Sequence, residues 1–155
     1  MWGKWIPYEE SIRVPMIVRD PRMAGLRGGT REEMTLSIDV APTILGLAGL
    51  EAAGRMQGRD LGPVVRNEKP KWRQEWFYEH TYQTPPPRLP IAQSEAVRTR
   101  DWKYVRYTSE TPVYEQLFDL KRDAAERRNL AGEAAHKQTL AKLRRRCDAL
   151  RAEAL

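Results

Sequence analysis

The chain has 155 residues, of which 41% are hydrophobic and 31% charged, so it is long enough for a domain with a buried core. No apolar run approaches the roughly 20 residues that cross a bilayer, and the single cysteine, Cys147, excludes an internal disulfide. The 27 basic and 21 acidic residues give a net charge of +6. This charge permits an anionic partner such as nucleic acid, a polysaccharide or a sulfated substrate.

The first segment, residues 3–18, begins with polar and aromatic residues and ends in an apolar run. Residues 12–18 are mostly β-branched and predict a short buried strand, although Pro15 favours an edge or an interruption. Lys4 precedes this strand, and ordered polar segments beside buried strands often carry active-site residues. Composition alone favours a solvated surface lysine. Lys4 is therefore a candidate that needs support from other features.

The next predicted element is a helix that begins after Asp39. Asp39 is a suitable N-cap, and Pro42 is tolerated in the first turn. Gly49 is a typical C-terminal stop, and Gly46 inside the helix predicts close packing. Asp39 could also be interpreted as a catalytic acid, but the N-cap role is favoured.

A short helix is predicted from Leu61 to about Arg66, and the composition of the sequence changes after it. Polar residues 67–71 mark the predicted domain boundary. Aromatic and β-branched segments then predict an antiparallel meander with strands at residues 75–80, 92–99, 102–107 and 115–120. The third segment alternates aromatic or aliphatic residues with basic ones, which predicts a half-exposed strand whose lysine and arginine reach solvent. A stacking platform for nucleic acid is the alternative.

The tail, residues 133–155, is predicted to form a helix that covers one face of this sheet. Its apolar residues recur at three and four positions on one stripe, namely Leu140, Leu143, Cys147, Leu150 and Ala154. Cys147 is therefore expected to be a buried structural thiol. The arginines outside the stripe are expected to meet solvent, namely Arg144, Arg145, Arg146 and Arg151.

A polar cluster precedes this tail and consists of Asp119, Asp123, Glu126 and Asn129. These residue types could bind calcium, but no D-x-[DN]-x-[DN]-G loop is present. Capping and turn formation are therefore favoured for them.

Four stretches carry a resemblance to one family. The sequence G-K-W-I-P-Y-E-E-S-I-R-V-P-M-I-V-R-D-P-R at residues 3–22 resembles a segment of type I, formylglycine-dependent sulfatases. Later stretches resemble the same family, namely D-V-A-P-T-I-L-G-L-A-G from Asp39, Q-G-R-D-L from Gln57, and A-V-R-T with W-K-Y-V-R-Y and E-Q-L-F-D-L between Ala96 and Leu120. Asp60 stands where the family usually has serine. The resemblance covers essentially the whole chain and is to the C-terminal portion of heparan N-sulfatases, iduronate sulfatases, choline sulfatases and arylsulfatases.

The resemblance implies an α/β fold, the alkaline-phosphatase-like sulfatase fold, of which this chain would form the C-terminal part. Residues 1–66 would be a remnant of the α/β catalytic domain, with one strand and one helix. Residues 72–155 would be a small α+β subdomain with a four-stranded antiparallel sheet and a C-terminal helix.

The resemblance also implies a chemistry, the hydrolysis of sulfate esters or sulfamates carried by a small molecule or a glycan. In the family the lysine of the first motif contacts the sulfate, which makes Lys4 the implied catalytic residue. The family also uses calcium held by carboxylates and a formylglycine made from Cys or Ser in C/S-x-P-S-R. This sequence lacks that motif, and the family's calcium ligands precede the matching portion. The chain alone is therefore expected to be inactive.

Two residues at the end of the first predicted strand, Glu79 and His80, are candidates for substrate contact, although a lone histidine is more often structural. A non-catalytic basic module for anionic glycan or nucleic acid is the alternative function, based on the charge of +6. An ordinary solvated arginine-rich surface explains the same charge without any anionic partner. Nucleic acid is the less favoured of the possible partners.

Overall fold

A computed structural model of the chain describes residues 5–23, 28–82 and 91–154. Its contacts divide the chain into two compact units. The sheet unit combines Met1–Pro15 with Glu75–Leu155, and the helix unit is Met16–Gln74. The described residues 5–15 thus belong with the sheet. The division of a larger enzyme into domains at residues 1–66 and 72–155 stays a prediction.

The regular elements of the described residues are short except for the last helix. The α-helices are α1 Glu9–Ile12, α2 Val40–Leu47, α3 Gly62–Val65 and α4 Lys137–Ala154. Short 3₁₀ turns occur at Pro21–Met23, Ser37–Asp39 and Ala134–His136. The strands are β1 Glu75–His80, β2 Ser94–Thr99, β3 Trp102–Tyr107 and β4 Tyr114–Asp119.

The strands form one antiparallel sheet in the order β1-β2-β3-β4, which confirms the predicted meander. The tight turn between β2 and β3 is closed by Thr99, whose hydroxyl accepts a hydrogen bond from the Trp102 N–H at 3.0 Å. Each strand of the sheet pairs with the next strand along the chain, as in any antiparallel meander.

Helix α4 covers one face of the sheet, called the helix face below. Its predicted stripe is buried at Leu140, Leu143 and Cys147, which pack against Val97 and Tyr104 of the central strands. Cys147 has no exposed surface, which confirms that this thiol is buried, and burial raises its pKa to about 12. The helix lies there because it hides the apolar side of the sheet from water.

The opposite face, called the segment face, is covered by the N-terminal segment, residues 5–12. Tyr8 lies with its ring 5.9 Å from that of Phe118, in a cluster that includes Val105. The prediction that β3 is half-exposed is wrong, because Lys103 on this face has no exposed surface. Alternation gives β3 two faces, as predicted, but both are covered.

The predicted strand at residues 12–18 is also wrong. The chain instead forms the short helix α1 and then carries neither helix nor strand through residue 20. Val14 is 61% exposed and Ile17 is 93% exposed. A strand requires a hydrogen-bonded neighbour, and the described residues place none beside this run.

In the helix unit, helix α2 begins after Asp39 and ends at Leu47, close to the predicted ends. Gly49 has a φ of +72° and its N–H donates to Gly46 O, while Leu50 N–H donates to Leu45 O, so α2 ends in a Schellman motif. A Cβ on Gly46 would lie 2.7 Å from an oxygen of Asp60, which confirms the close packing predicted there. The predicted helix at residues 61–66 is α3.

Candidate functional site

Lys4, the residue that the resemblance implies as catalytic, lies outside the described residues. Its neighbour Trp5 is the first described residue, and the Trp5 ring lies 5.7 Å from the His80 ring and 6.4 Å from the Tyr82 ring. The Tyr78 hydroxyl donates to the main-chain oxygen of Trp5 at 3.3 Å. The chain next to Lys4 is thus held beside the end of β1.

His80 carries a buried ring nitrogen, Nε2, for which the described part of the chain offers no hydrogen-bond partner. Ser94 lies opposite His80 in the β1–β2 register, is 1% exposed, and has a hydroxyl that is likewise unpartnered within the described residues. A buried polar atom without a partner is costly. Sequence reasoning found His80 but not Ser94, because nothing in the local pattern distinguishes Ser94 from a surface serine.

Glu79 does not share the surroundings of His80. It lies opposite Glu95 in the β1–β2 register, and Glu95 forms an ion pair with Arg106 at 2.6 Å on the helix face. Neighbouring residues of a strand point to opposite faces. The structure therefore separates the two predicted substrate contacts, and only His80 lies with Trp5.

Lys103, which sequence reasoning assigned to solvent, lies in a buried polar cluster of the sheet unit. Lys103 Nζ donates to Pro7 O at 2.9 Å and forms ion pairs with Glu9 at 2.8 Å and with Glu126 at 2.6 Å. Burial by itself raises the pKa of Glu9, but the hydrogen bonds and charges of Lys103 and Arg98 together outweigh it, so the pKa is lowered. Glu9 therefore stays ionised at neutral pH.

Glu126 also binds the main chain of the N-terminal segment, since its second carboxylate oxygen accepts a hydrogen bond from Glu9 N–H at 2.6 Å. Arg98 lies 3.4 Å from Glu9 and supplies a second cation. Two carboxylates and two cations thus balance in a largely buried cluster, as buried charges require. Glu126 was considered above only as a turn or calcium residue.

The other members of that polar cluster form turns, as predicted. Asp119 accepts the main-chain N–H of Lys121 at 3.1 Å, and Asn129 accepts that of Ala131 at 3.0 Å. Across residues 5–23, 28–82 and 91–154, no group of three or more His, Cys, Asp or Glu side chains is placed to hold a metal ion. The described residues therefore do not form a site that fits the calcium implied by the resemblance.

A cavity of about 490 Å³ adjoins Trp5 in the sheet unit. Its lining includes Tyr107 and Tyr114, whose rings lie 5.6 Å apart, and the carboxylate of Glu110. Small-molecule sites commonly have this volume and this mixture of aromatic walls with a few polar groups.

Most arginines of α4 are exposed and also pair with acids. Arg144 pairs with Glu115, and Arg146 pairs with Glu75. Arg151 lies 3.3 Å from a carboxylate oxygen of the already paired Glu95. The expectation that these side chains meet solvent is met for Arg144, Arg145 and Arg151, which are exposed, while Arg146 is half-buried. The charges of Arg144, Arg146 and Arg151 are nevertheless compensated by acids. No helix in the described ranges is long and apolar enough to cross a membrane.

Comparison with known proteins identifies the fold and the family. An N-acetylglucosamine-6-O-sulfatase of Bacteroides thetaiotaomicron is 33% identical over 138 residues, which is 87% of this chain and 24% of that protein. A multifunctional alkaline phosphatase superfamily protein of Trinickia caryophylli is 34% identical over 137 residues, 82% of this chain and 26% of that protein.

A solved structure matches with a TM-score of 0.66 at 27% identity over 75% of this chain and 24% of that one. In that structure the solved protein is in complex with its own substrate, D-glucosamine-2-N,6-O-disulfate. The fold is thus that of the C-terminal part of the alkaline-phosphatase-like sulfatases. The N-sulphoglucosamine sulphohydrolase C-terminal family matches residues 1–153, and the chain belongs to it. It spans about a quarter of the length of these relatives.

Proposed function

We propose that this chain is the C-terminal part of a sulfuric ester hydrolase that acts on a sulfated sugar. The observation that carries the proposal is the family match over residues 1–153. The substrate class follows the names of two relatives, an N-acetylglucosamine-6-O-sulfatase and a protein bound to a glucosamine disulfate.

Lys4 is the residue proposed to contact the sulfate. An ammonium group near the sulfuryl oxygens stabilises the charge that they carry during transfer. The contacts of Trp5 support this role, because Trp5 is the neighbour of Lys4 in the sequence and lies against the end of β1. His80 belongs to the same ring cluster and is the stronger candidate for substrate contact, whereas Glu79 lies on the other face.

The remaining chemistry requires residues that this sequence does not contain. Sulfate ester hydrolysis needs a nucleophile, and no C/S-x-P-S-R sequence occurs among the 155 residues. Cys147 cannot substitute, since it is buried in the helix face and its thiol has a raised pKa. We therefore infer that residues 1–155 alone do not hydrolyse sulfate esters.

Exposed apolar residues of the helix unit support the proposed place of residues 1–66 in a larger domain. Ile44 of α2 and Leu50 after it are each 60% exposed, and Val40 and Leu47 are also exposed. Apolar side chains exposed together commonly mark a surface that packs against other protein. Residues of the catalytic domain are the proposed occupant.

Sulfate release decides the proposal. The purified chain and a longer protein that joins it to the in-frame coding sequence upstream are incubated with 4-nitrophenyl sulfate and glucosamine 6-sulfate. We expect release by the longer protein only, and at least a hundredfold lower kcat/KM in its Lys4→Ala variant. Lys121→Ala, which changes an exposed lysine, serves as the control. Release by residues 1–155 alone, or none by the longer protein, contradicts the proposal.

The alternative function, a basic module for an anionic polymer, rests on the charge of +6. Such binding weakens steeply as salt is added, because bound cations are released from the polymer. The ion pairs of Arg144, Arg146 and Arg151 reduce the charge available for it. Tight, salt-dependent retention of the chain on heparin or DNA, with no sulfatase activity in the longer protein, would favour this alternative.

A further inference from the structure

We propose that the cavity bordered by Trp5, Tyr107 and Tyr114 binds the ammonium group of a small organic molecule, with the carboxylate of Glu110 as its counter-ion. The described residues that line this cavity all belong to the sheet unit. This site is independent of the sulfatase function proposed above and of the position of Lys4.

The walls of the cavity are aromatic and partly open to solvent. Trp5 is 44% exposed and Tyr114 is 51% exposed, so both rings keep surface that a ligand can cover. The rings of Tyr107 and Tyr114 lie 5.6 Å apart. A cation is attracted to an aromatic face when it lies within about 6 Å of the ring centroid. One ammonium group can therefore be close enough to both tyrosine rings at the same time.

Glu110 gives the cavity a negative charge. The described residues of the lining include this acid and no lysine, arginine or histidine. Glu110 forms no ion pair within residues 5–23, 28–82 and 91–154, although the chain carries a net charge of +6. By contrast, Glu95 and Glu115 of the same unit both pair with arginines. An uncompensated carboxylate beside aromatic faces favours a cationic ligand and disfavours a sulfate or carboxylate group there.

Two of the walls are held in place by contacts outside the cavity. The Tyr107 hydroxyl donates to Gln116 Oε1 at 3.2 Å, and the Tyr107 ring packs against a buried apolar cluster of the sheet. The main-chain oxygen of Trp5 accepts a hydrogen bond from the Tyr78 hydroxyl at 3.3 Å. Walls that are fixed beforehand lose little conformational freedom when a ligand binds, so more of the interaction remains as affinity.

The volume of the cavity, about 490 Å³, fits a small molecule. Two kinds of small molecule carry the required group, namely amino sugars with a primary ammonium and choline-like alcohols with a quaternary one. A primary ammonium also donates hydrogen bonds to a carboxylate, whereas a quaternary ammonium has no hydrogen to donate and depends more on aromatic faces. The relative importance of Glu110 and Tyr114 for binding therefore distinguishes the two sources.

The first test titrates residues 1–155 with glucosamine and with choline at pH 6 and constant ionic strength, and follows the amide chemical shifts of residues 107–114. The controls are N-acetylglucosamine, which has no ammonium group, and 3,3-dimethylbutan-1-ol, which has the shape of choline without its charge. We expect at least one cation to bind fivefold or more tightly than its control, and the tighter cation identifies the source. If neither cation binds more tightly than its control, the proposal is overturned.

The second test assigns the binding to the cavity by substitution of two exposed residues. Glu110→Gln removes the charge and keeps the shape, and Glu51→Gln is the matched control at an exposed glutamate of the helix unit. Tyr114→Ala removes an aromatic face that Tyr114→Phe keeps.

For a primary ammonium, Glu110→Gln is expected to weaken binding at least fivefold, while Glu51→Gln changes it less than twofold. For a quaternary ammonium, Tyr114→Ala is expected to weaken binding at least fivefold and Tyr114→Phe less than twofold. Unchanged amide shifts in β2 verify that each variant is folded. Binding that is equal in Glu110→Gln, Tyr114→Ala and the wild type overturns the cavity as the site.

Discussion

The carboxylate of Asp39 accepts hydrogen bonds from both terminal nitrogens of Arg73, at 2.5 and 2.6 Å. No part of Asp39 is exposed. Asp39 also accepts the main-chain N–H groups of Leu36 and Arg59, each at 2.8 Å. It occupies the N-cap position of α2, as predicted, but its side chain makes no capping hydrogen bond to that helix. The pair instead ties the chain before α2 to the chain after α3.

Replacement of Arg73 by Met is expected to destabilise the helix unit by about 3–5 kcal/mol, because it leaves the buried Asp39 carboxylate without its cation. The measurement is the urea midpoint for unfolding of the helix unit, and amide hydrogen exchange in residues 36–66 is the readout. Arg66→Met is the matched control, since the Arg66–Glu68 pair lies on the surface. Exposed pairs contribute roughly 0–1 kcal/mol. Similar midpoints for both variants would show that the Asp39 pair is dispensable.

Stability of the sheet unit should fall in acid through Glu9. The pKa of Glu9 is lowered from its ordinary value of 4.5 because Lys103 and Arg98 together outweigh the effect of burial. A lowered folded-state pKa stabilises the fold above pH 4.5 and loses this contribution as the pH falls through the folded value. Urea midpoints of the wild type and Glu9→Gln, compared between pH 6 and pH 3, should therefore converge below pH 4.5. A constant difference contradicts the assignment.

Gly58 is expected to tolerate no side chain. A Cβ there would lie 1.9 Å from the main-chain oxygen of Ile38, so backbone must move to admit it. Gly58→Ala should therefore lower the stability of the helix unit by roughly 1–3 kcal/mol or more. Gly54→Ala is the control, because a Cβ at Gly54 meets nothing within 4 Å. Thermal unfolding of both variants checks this, and equal melting temperatures would contradict the close approach.

Thiol labelling offers a direct readout of the helix face. Cys147 is the single cysteine, has no exposed surface, and has a pKa raised to about 12 by burial, so little thiolate forms near neutral pH. We expect one thiol to react with a disulfide reagent in urea and almost none in the native protein at pH 8. Labelling should then follow the opening of α4 from the sheet. Rapid native labelling would show that α4 opens easily.

The elements with a clear period were predictable from the sequence. The segments predicted at residues 75–80 and 102–107 coincide with β1 and β3, because their aromatic and β-branched residues fit a strand in any surroundings. The stripe of α4 was equally readable from its spacing of three and four residues. These are features that local sequence determines.

Features that depend on distant partners were not predictable. Lys103 looks like any basic residue of an alternating strand, and its burial follows from Pro7, Glu9 and Glu126, which are far away in the sequence. The run at residues 12–18 has the composition of a strand, but a strand also needs a neighbour, and composition does not reveal one.

The candidate site divides in the same way. Resemblance to the sulfatases singled out Lys4, and position at a strand end singled out His80. Neither could show that Ser94 lies opposite His80 or that the two faces of β1 separate Glu79 from His80. Strand register determines both relationships, and register depends on the pairing of whole strands.

The separation in sequence between the N-terminal segment and its partners has a consequence for the order of folding. Each strand of the meander pairs with the next strand along the chain, whereas Glu9 and Glu126 are 117 residues apart. Local pairings form early and distant ones late, because closing a long loop costs entropy. During synthesis on the ribosome, residues 5–12 emerge before Lys103 and Glu126 exist. Residues 5–12 are therefore expected to be made before their partners in the sheet unit and to be set in place after the meander has paired.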